Sequence, residues 1–186
     1  GTALSAVRAI ASARTRMSGP DQYTKEGYPA CLPQAIPRES SDMLRTSADF
    51  DDLDLALIHR FLSGDAYWAA GIPRDTVERA LRHSVCCGGF LDGVGQVAFA
   101  RAVTDQATFA YLADVFVLPE HRGHGHGRTV VEALMADPRL QGLRRWHLVT
   151  RDMQPLYAKL GFEPLTQPER HMQKHDPEVY LRNGVA

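Results

Sequence analysis

Residues 113–131 read ADVFVLPEHRGHGHGRTVV. An apolar run through Val115, Phe116, Val117 and Leu118 stops at Pro119, and Gly123, Gly125 and Gly127 follow before the apolar period resumes at Val130 and Val131. The pattern is a buried strand, a short turn and a glycine-rich loop that opens directly into a helix. A helix start carries unbonded backbone N–H groups and the positive end of the helix dipole, which together attract anions. With no side chains at the glycines, a phosphate can come close to the peptide planes. Arg122 and Arg128 flank the loop with fixed positive charge, and the guanidinium fork matches phosphate geometry.

The spacing separates this loop from other phosphate readers. A dinucleotide loop carries G-x-G-x-x-G and a nucleoside-triphosphate loop G-x-x-x-x-G-K-S/T, and neither is present. What stands here is Q/R-x-x-G-x-G/A, as Arg122, Gly125 and Gly127, preceded by Val117, Leu118 and Pro119. A second marker lies at Asp152–Phe162, DMQPLYAKLGF. Pro155 suits a first helical turn, Gly161 a left-handed cap, and Leu156 with Leu160 the buried side of a very short helix that places Tyr157 near the end of the preceding strand. With both markers in this order and a strand between them, the chain resembles the GNAT family of N-acetyltransferases over residues 41–172.

The resemblance implies an α/β (α+β) fold: the GNAT acyl-CoA N-acyltransferase fold, a central mixed, mostly antiparallel sheet with splayed strands flanked by helices. It implies acetyl-coenzyme A as cosubstrate, its pantetheine arm lying where the strand before the loop and the strand after the helix part. Backbone groups of Val115, Phe116 and Val117 would bond that arm and the thioester carbonyl, and an N–H there can stabilise a developing oxyanion. Gly123, His124, Gly125, His126, Gly127 and Arg128, with Arg122, would hold the pyrophosphate. Tyr157 matches the tyrosine that protonates the departing thiolate. Thr150 departs from the pattern, because asparagine often stands seven residues before that tyrosine in the family; a hydroxyl can still bond pantetheine or water. The implied reaction moves an acetyl group to a primary amine of a small molecule or peptide by direct attack in a ternary complex. A catalytically silent acyl-CoA sensor or partner-binding module is the alternative.

An alkyl amine has a pKa of roughly 10 to 10.5, so about one molecule in a thousand is neutral at pH 7 and a proton must leave before attack. Asp114, one residue ahead of the cofactor-binding segment, is the best-placed carboxylate for that task. A structural aspartate accepting hydrogen bonds across the sheet fits the position equally well, and His147, Glu120 and His59 are further candidates. His121, His124 and His126 have irregular spacing and no supporting cysteine or carboxylate cluster, so no metal site is expected.

The 186 residues, 44% hydrophobic, suffice for one domain of ordinary size with an appendage. A net charge of -1 argues against a nucleic-acid partner. Three cysteines, two of them adjacent, make no disulfide framework and suggest a reducing compartment, and no apolar run is long enough to span a bilayer, so a soluble cytoplasmic protein is expected. Residues 1–39 read as an irregular N-terminal extension punctuated by proline, and residues 40–186 as the acetyltransferase domain.

Within that domain the pattern predicts an edge strand at Met43–Ser47, helices over Asp51–Leu62 and Arg74–His83, and between them a loop whose Tyr67 and Trp68 read mainly as core anchors. A hairpin follows, Cys86–Leu91 and Gln96–Val103 joined by a two-residue Asp92-Gly93 turn, then a strand over Phe109–Leu118. The helix after the loop is expected over Arg128–Ala136 and a buried parallel strand over Trp146–Thr150. The family resemblance further implies a closing strand pair at Phe162–Leu165 and His171–Gln173, whose exposed edge would suit homodimer formation.

Overall fold

The computed structural model describes residues 43–183, and the expected N-terminal extension lies outside the described residues. Five strands form one sheet in the order β1-β2-β3-β4-β5: β1 Arg45–Ser47, β2 Val85–Leu91, β3 Gly95–Thr104, β4 Phe109–Val117 and β5 Arg145–His147. The first four pair antiparallel with their neighbours, and β5 runs parallel to β4 after the crossover helix α3, His126–Met135. This is the mixed, mostly antiparallel sheet that the sequence predicts.

Alternation along the strands sends side chains into two apolar layers. On one face Cys86, Phe99 and Phe116 pack with the helices α1, Leu55–Arg60, and α2, Arg74–Arg82. On the other, Val85, Cys87, Ala100 and Leu112 pack against Val130, Val131 and Leu134 of α3 and Tyr157 of α4, Gln154–Ala158. A short fifth helix, α5, spans Val179–Asn183, and its Tyr180 leans on the first of these layers.

The expected helix over Asp51–Leu62 is broken into three pieces. Asp49 caps a single tight turn, Phe50–Asp52, and Leu53 then runs extended. Asp54 accepts a hydrogen bond from the Leu57 amide at 2.9 Å and starts α1 afresh. Past Arg60 the helix widens, with the Ala66 amide donating to the Phe61 carbonyl at 3.0 Å. Leu53, Leu57, Ile58 and Phe61 are buried as expected, because the stripe survives the break.

Three further expectations are corrected. The β2–β3 connection is a three-residue loop, since Leu91 pairs with Gly95, and the positive φ falls on Gly93 (73°) and Gly95 (102°) rather than on Asp92. The strand expected over Trp146–Thr150 is short and half-buried, with Val149 76% exposed beyond its end. The closing strand pair does not form: Pro164 lacks an N–H inside the first segment, Pro168 starts a turn at Pro168–Arg170, and residues 163–178 are exposed. Among the described residues, no helix is long and apolar enough to cross a membrane.

Phe99 is fully buried and its ring lies 5.8 Å from that of Phe116, bridging β3 to β4 beneath α1. Phe99→Ala is expected to cost about 3–5 kcal/mol in denaturant unfolding, and a loss under about 1 kcal/mol would contradict this packing.

Candidate active site

The site begins where β4 and β5 separate. Their pairing runs Phe109↔Arg145, Ala110↔Trp146 and Tyr111↔His147 and then stops, while β4 continues to Val117. The expected splay is therefore present, with Val115, Phe116 and Val117 on the strand edge that β5 leaves uncovered. Val115 and Val117 lean into the layer of α3 and Tyr157, and Phe116 into the opposite one.

Pro119–His121 makes one tight turn after β4, and the glycine loop follows. Gly123 (φ 83°) and Gly125 (φ 87°) both adopt the left-handed conformation, and Gly125 is the residue from which α3 starts. A Cβ at either would meet open space, so backbone conformation rather than crowding calls for glycine there. At Gly127 a Cβ would lie 3.4 Å from Val117, an ordinary contact. Among the described residues, no side chain caps the start of α3.

The flanking cations are tethered. Arg122 Nε donates to the Val117 carbonyl at 3.0 Å, hooking the loop back onto the end of β4. Arg128 Nε donates to Glu132 Oε1 at 2.8 Å one turn along α3, which offsets part of its charge. His124 is exposed, its ring 5.7 Å from that of His126, which is buried at the first position of α3.

Across the gap, α4 carries Tyr157. Met153 precedes the helix, Pro155 occupies its first turn, and Gly161 (φ 86°) closes it, with the Gly161 amide donating to the Ala158 carbonyl and the Phe162 amide to that of Tyr157. Tyr157, at 9% exposure, is the buried residue of this helix, and Leu156 and Leu160 are only half-buried. Its ring meets Phe162 edge-on at 5.9 Å and shares an apolar cluster with Val115, Val117, Val130 and Val131. Burial pushes its phenol pKa above the ordinary 10. Thr150 Oγ1 accepts from the Met153 amide at 3.1 Å, so this hydroxyl shapes the approach to α4 and keeps a proton to donate.

Asp114 does not stand free. Its Oδ2 accepts from Arg101 Nε at 2.5 Å and its Oδ1 from Trp68 Nε1 at 3.0 Å, and the side chains of Arg101 and Asp114 are only 16% and 11% exposed. Both carboxylate oxygens are thus taken up by partners, the arrangement that the structural reading of this aspartate anticipates. Trp68 and Tyr67 are not core anchors: they are 45% and 58% exposed, ring against ring at 5.1 Å, with the Arg151 guanidinium 4.2 Å over Tyr67. Sequence reasoning passed over Arg101, although an arginine within the otherwise apolar run of β3 is a signal that a carboxylate must lie opposite.

On the α1/α2 face of the last β4–β5 rung, His147 lies 5.9 Å from the Tyr111 ring and stacks on His171 at 5.4 Å. Burial first, then the charges of His171 and Arg145, hold its pKa below the ordinary 6.5. His59 Nε2 is engaged at 3.1 Å with the Ile72 carbonyl, and Glu120 is exposed on the turn after β4.

Known proteins resemble this chain in sequence and in fold. A sequence profile of the acetyltransferase (GNAT) domain matches residues 86–164. A Gibberella zeae protein named as an acetyltransferase is 38% identical over 128 residues, covering 58% of this chain and 71% of that protein. A crystal structure of a GNAT-family acetyltransferase from Xanthomonas campestris pv. campestris superposes with a TM-score of 0.71 at 53% identity, over 74% of this chain and 96% of that one. A Clostridium acetobutylicum acetyltransferase structure with acetyl-CoA shares the fold at a TM-score of 0.55 and 18% identity, over 72% of this chain and 96% of that one. A splayed β4–β5 pair, a left-handed glycine loop and a buried tyrosine on α4 thus occur in a chain that belongs to the GNAT family of acetyltransferases.

Proposed function

We propose that this acetyltransferase binds acetyl-CoA with its pyrophosphate on residues 122–128 and its thioester in the gap beyond Tyr111 and His147, and transfers the acetyl group directly to a primary amine of a small molecule or peptide. The observation that carries the reading is the end of β4–β5 pairing at Tyr111↔His147 while β4 runs on to the glycine loop. A strand edge left without a partner supplies backbone groups to an extended arm.

The amine nitrogen attacks the thioester carbonyl carbon, the oxyanion takes a hydrogen bond from a β4 amide, and the C–S bond breaks. Tyr157 protonates the departing thiolate from the α3/α4 side, its raised pKa keeping the phenol protonated across neutral pH. The amine proton leaves toward the other face, to His147 directly or through water. Asp114 is bound on both oxygens, His59 is engaged and Glu120 is exposed on the turn past the end of β4, whereas His147 sits on the last β4–β5 rung, where its lowered pKa keeps the ring neutral and able to accept. Direct transfer is favoured over an acyl-cysteine intermediate: burial pushes the Cys86 and Cys87 thiols up to about 12 and about 11, which denies them thiolate character.

Replacement of Tyr157 by phenylalanine is expected to lower kcat by roughly 10²–10⁴ while coenzyme A affinity in calorimetry stays within about twofold. Equal turnover in the two proteins would remove Tyr157 from the mechanism.

Ionisation of the unliganded enzyme sets the pH profile of kcat/KM. The neutral imidazole is present above the His147 pKa, so the acid limb falls below 6.5; the phenol is lost as pH rises past 10, so the alkaline limb lies above it. His147→Gln is expected to abolish the acid limb, and an unchanged limb in that variant would assign the base elsewhere. The same shift makes neutral His147 favoured in the folded chain, a contribution present above 6.5 and lost as pH falls through the lowered value.

Gly125→Ala places a Cβ at φ 87° and is expected to cost roughly 1 kcal/mol or more in stability, with coenzyme A binding weakened as the loop relaxes. Wild-type affinity and stability in this variant would mean that the left-handed start of α3 is not needed.

A further inference from the structure

β3 and β4 are out of step at one place. Phe99 pairs with Phe116 but Arg101 with Ala113, so β4 carries one residue more than β3 across this stretch. The extra residue is accommodated at Asp114, whose φ of 52° is one of two positive values among described non-glycine residues. The bulge resets the alternation: Leu112 and Val115 both join the α3 layer, and Asp114 turns to the α1/α2 face, where Arg101 and Trp68 meet it.

From that carboxylate the contacts run outward in two directions. Arg101 Nη1 donates to Ser84 Oγ at 3.0 Å, and Ser84 Oγ donates to the Ala80 carbonyl of α2 at 2.8 Å. Trp68 Nε1 brings in the loop between α1 and α2, whose ring pair Tyr67 and Trp68 faces solvent. We infer that Asp114 is a positioning residue: its carboxylate clamps the aromatic loop at residues 66–72 to the β4 bulge, so that this loop moves as one body with the strand proposed to take the cofactor. This rests on the cofactor reading of β4 given above.

The chemistry fits a clamp better than a base. A nearly buried carboxylate held by a guanidinium and an indole N–H keeps its charge paired, and removing either partner leaves a buried group unsatisfied. The loop has a second tether in Arg151 over Tyr67, but both of those side chains are well exposed and the contact is correspondingly weak.

Amide hydrogen exchange on the full chain, with and without coenzyme A, tests the clamp. In the wild type, coenzyme A is expected to slow exchange at 113–117 and also at 66–72. Trp68→Phe keeps the ring and loses the donor; it should retain protection at 113–117, exchange at least about tenfold faster at 66–72, and lose the response of 66–72 to coenzyme A. Asp114→Asn, which still offers an oxygen to the indole, should lie nearer the wild type than Asp114→Ala. Wild-type exchange and response at 66–72 in Trp68→Phe overturns the clamp. Absence of protection at 113–117 in the wild type would instead overturn the cofactor reading, and the ligand-free comparison of 66–72 between wild type and Trp68→Phe still decides the clamp.

Discussion

The site depends on a sheet that stops pairing partway along a strand. Backbone N–H and C=O groups are obligatory hydrogen-bonding groups, and leaving them without partners is costly wherever water is excluded. β5 ends at His147, so it covers β4 only as far as Tyr111, and β4 carries an uncovered edge from there to the glycine loop. The two apolar layers hold β4 on both faces, through Phe116 on one and Leu112 on the other, so the strand cannot curl to cover its own edge. An extended ligand with alternating polar groups answers that requirement as another strand would.

Placement of His147 and Tyr157, the two groups proposed to handle protons, follows from the same separation. Side chains alternate across the sheet, so at the last β4–β5 rung His147 faces Tyr111 on one side, while Trp146 and Leu148 lean into the α3/α4 layer where Tyr157 is buried. One environment, partial burial near cationic neighbours, lowers an imidazole pKa, and the other, an apolar layer, raises that of a phenol. Each group is thereby held in the form its proposed task requires, and the proposed transfer would run between the faces rather than on either.

Much of this was legible in the sequence because it is local. Three glycines at alternate positions before a helical period, the Pro155 to Gly161 frame around Tyr157, and three runs of strand residues separated by turn residues each report on a few neighbouring positions. What failed depended on distant partners or on competing caps. Asp54 restarts a helix that periodicity alone carries through from Asp51. Trp68 looks like a core residue by type, yet its position is set by a carboxylate 46 residues away, and a single sequence gives no view of that pairing. The closing strands follow from family resemblance alone, but Pro164 and the turn at Pro168–Arg170 outweigh it, and residues 163–178 bury too little to fix a register.

Asp114 joins the local and the distant levels. A left-handed bulge residue is ordinarily glycine, since a side chain there costs backbone energy on the order of 1 kcal/mol or more. An aspartate in that conformation must recover the cost elsewhere, and here it does so through two hydrogen bonds, one of them from a guanidinium in a nearly buried setting. Glycine at 114 would relieve the backbone and strand Arg101 without its counter-charge beside Phe99 and Cys86. The residue is therefore fixed by its side-chain partners rather than by its φ, and the bulge at the start of the β4 edge proposed for the cofactor is bonded from the α1/α2 face of the sheet.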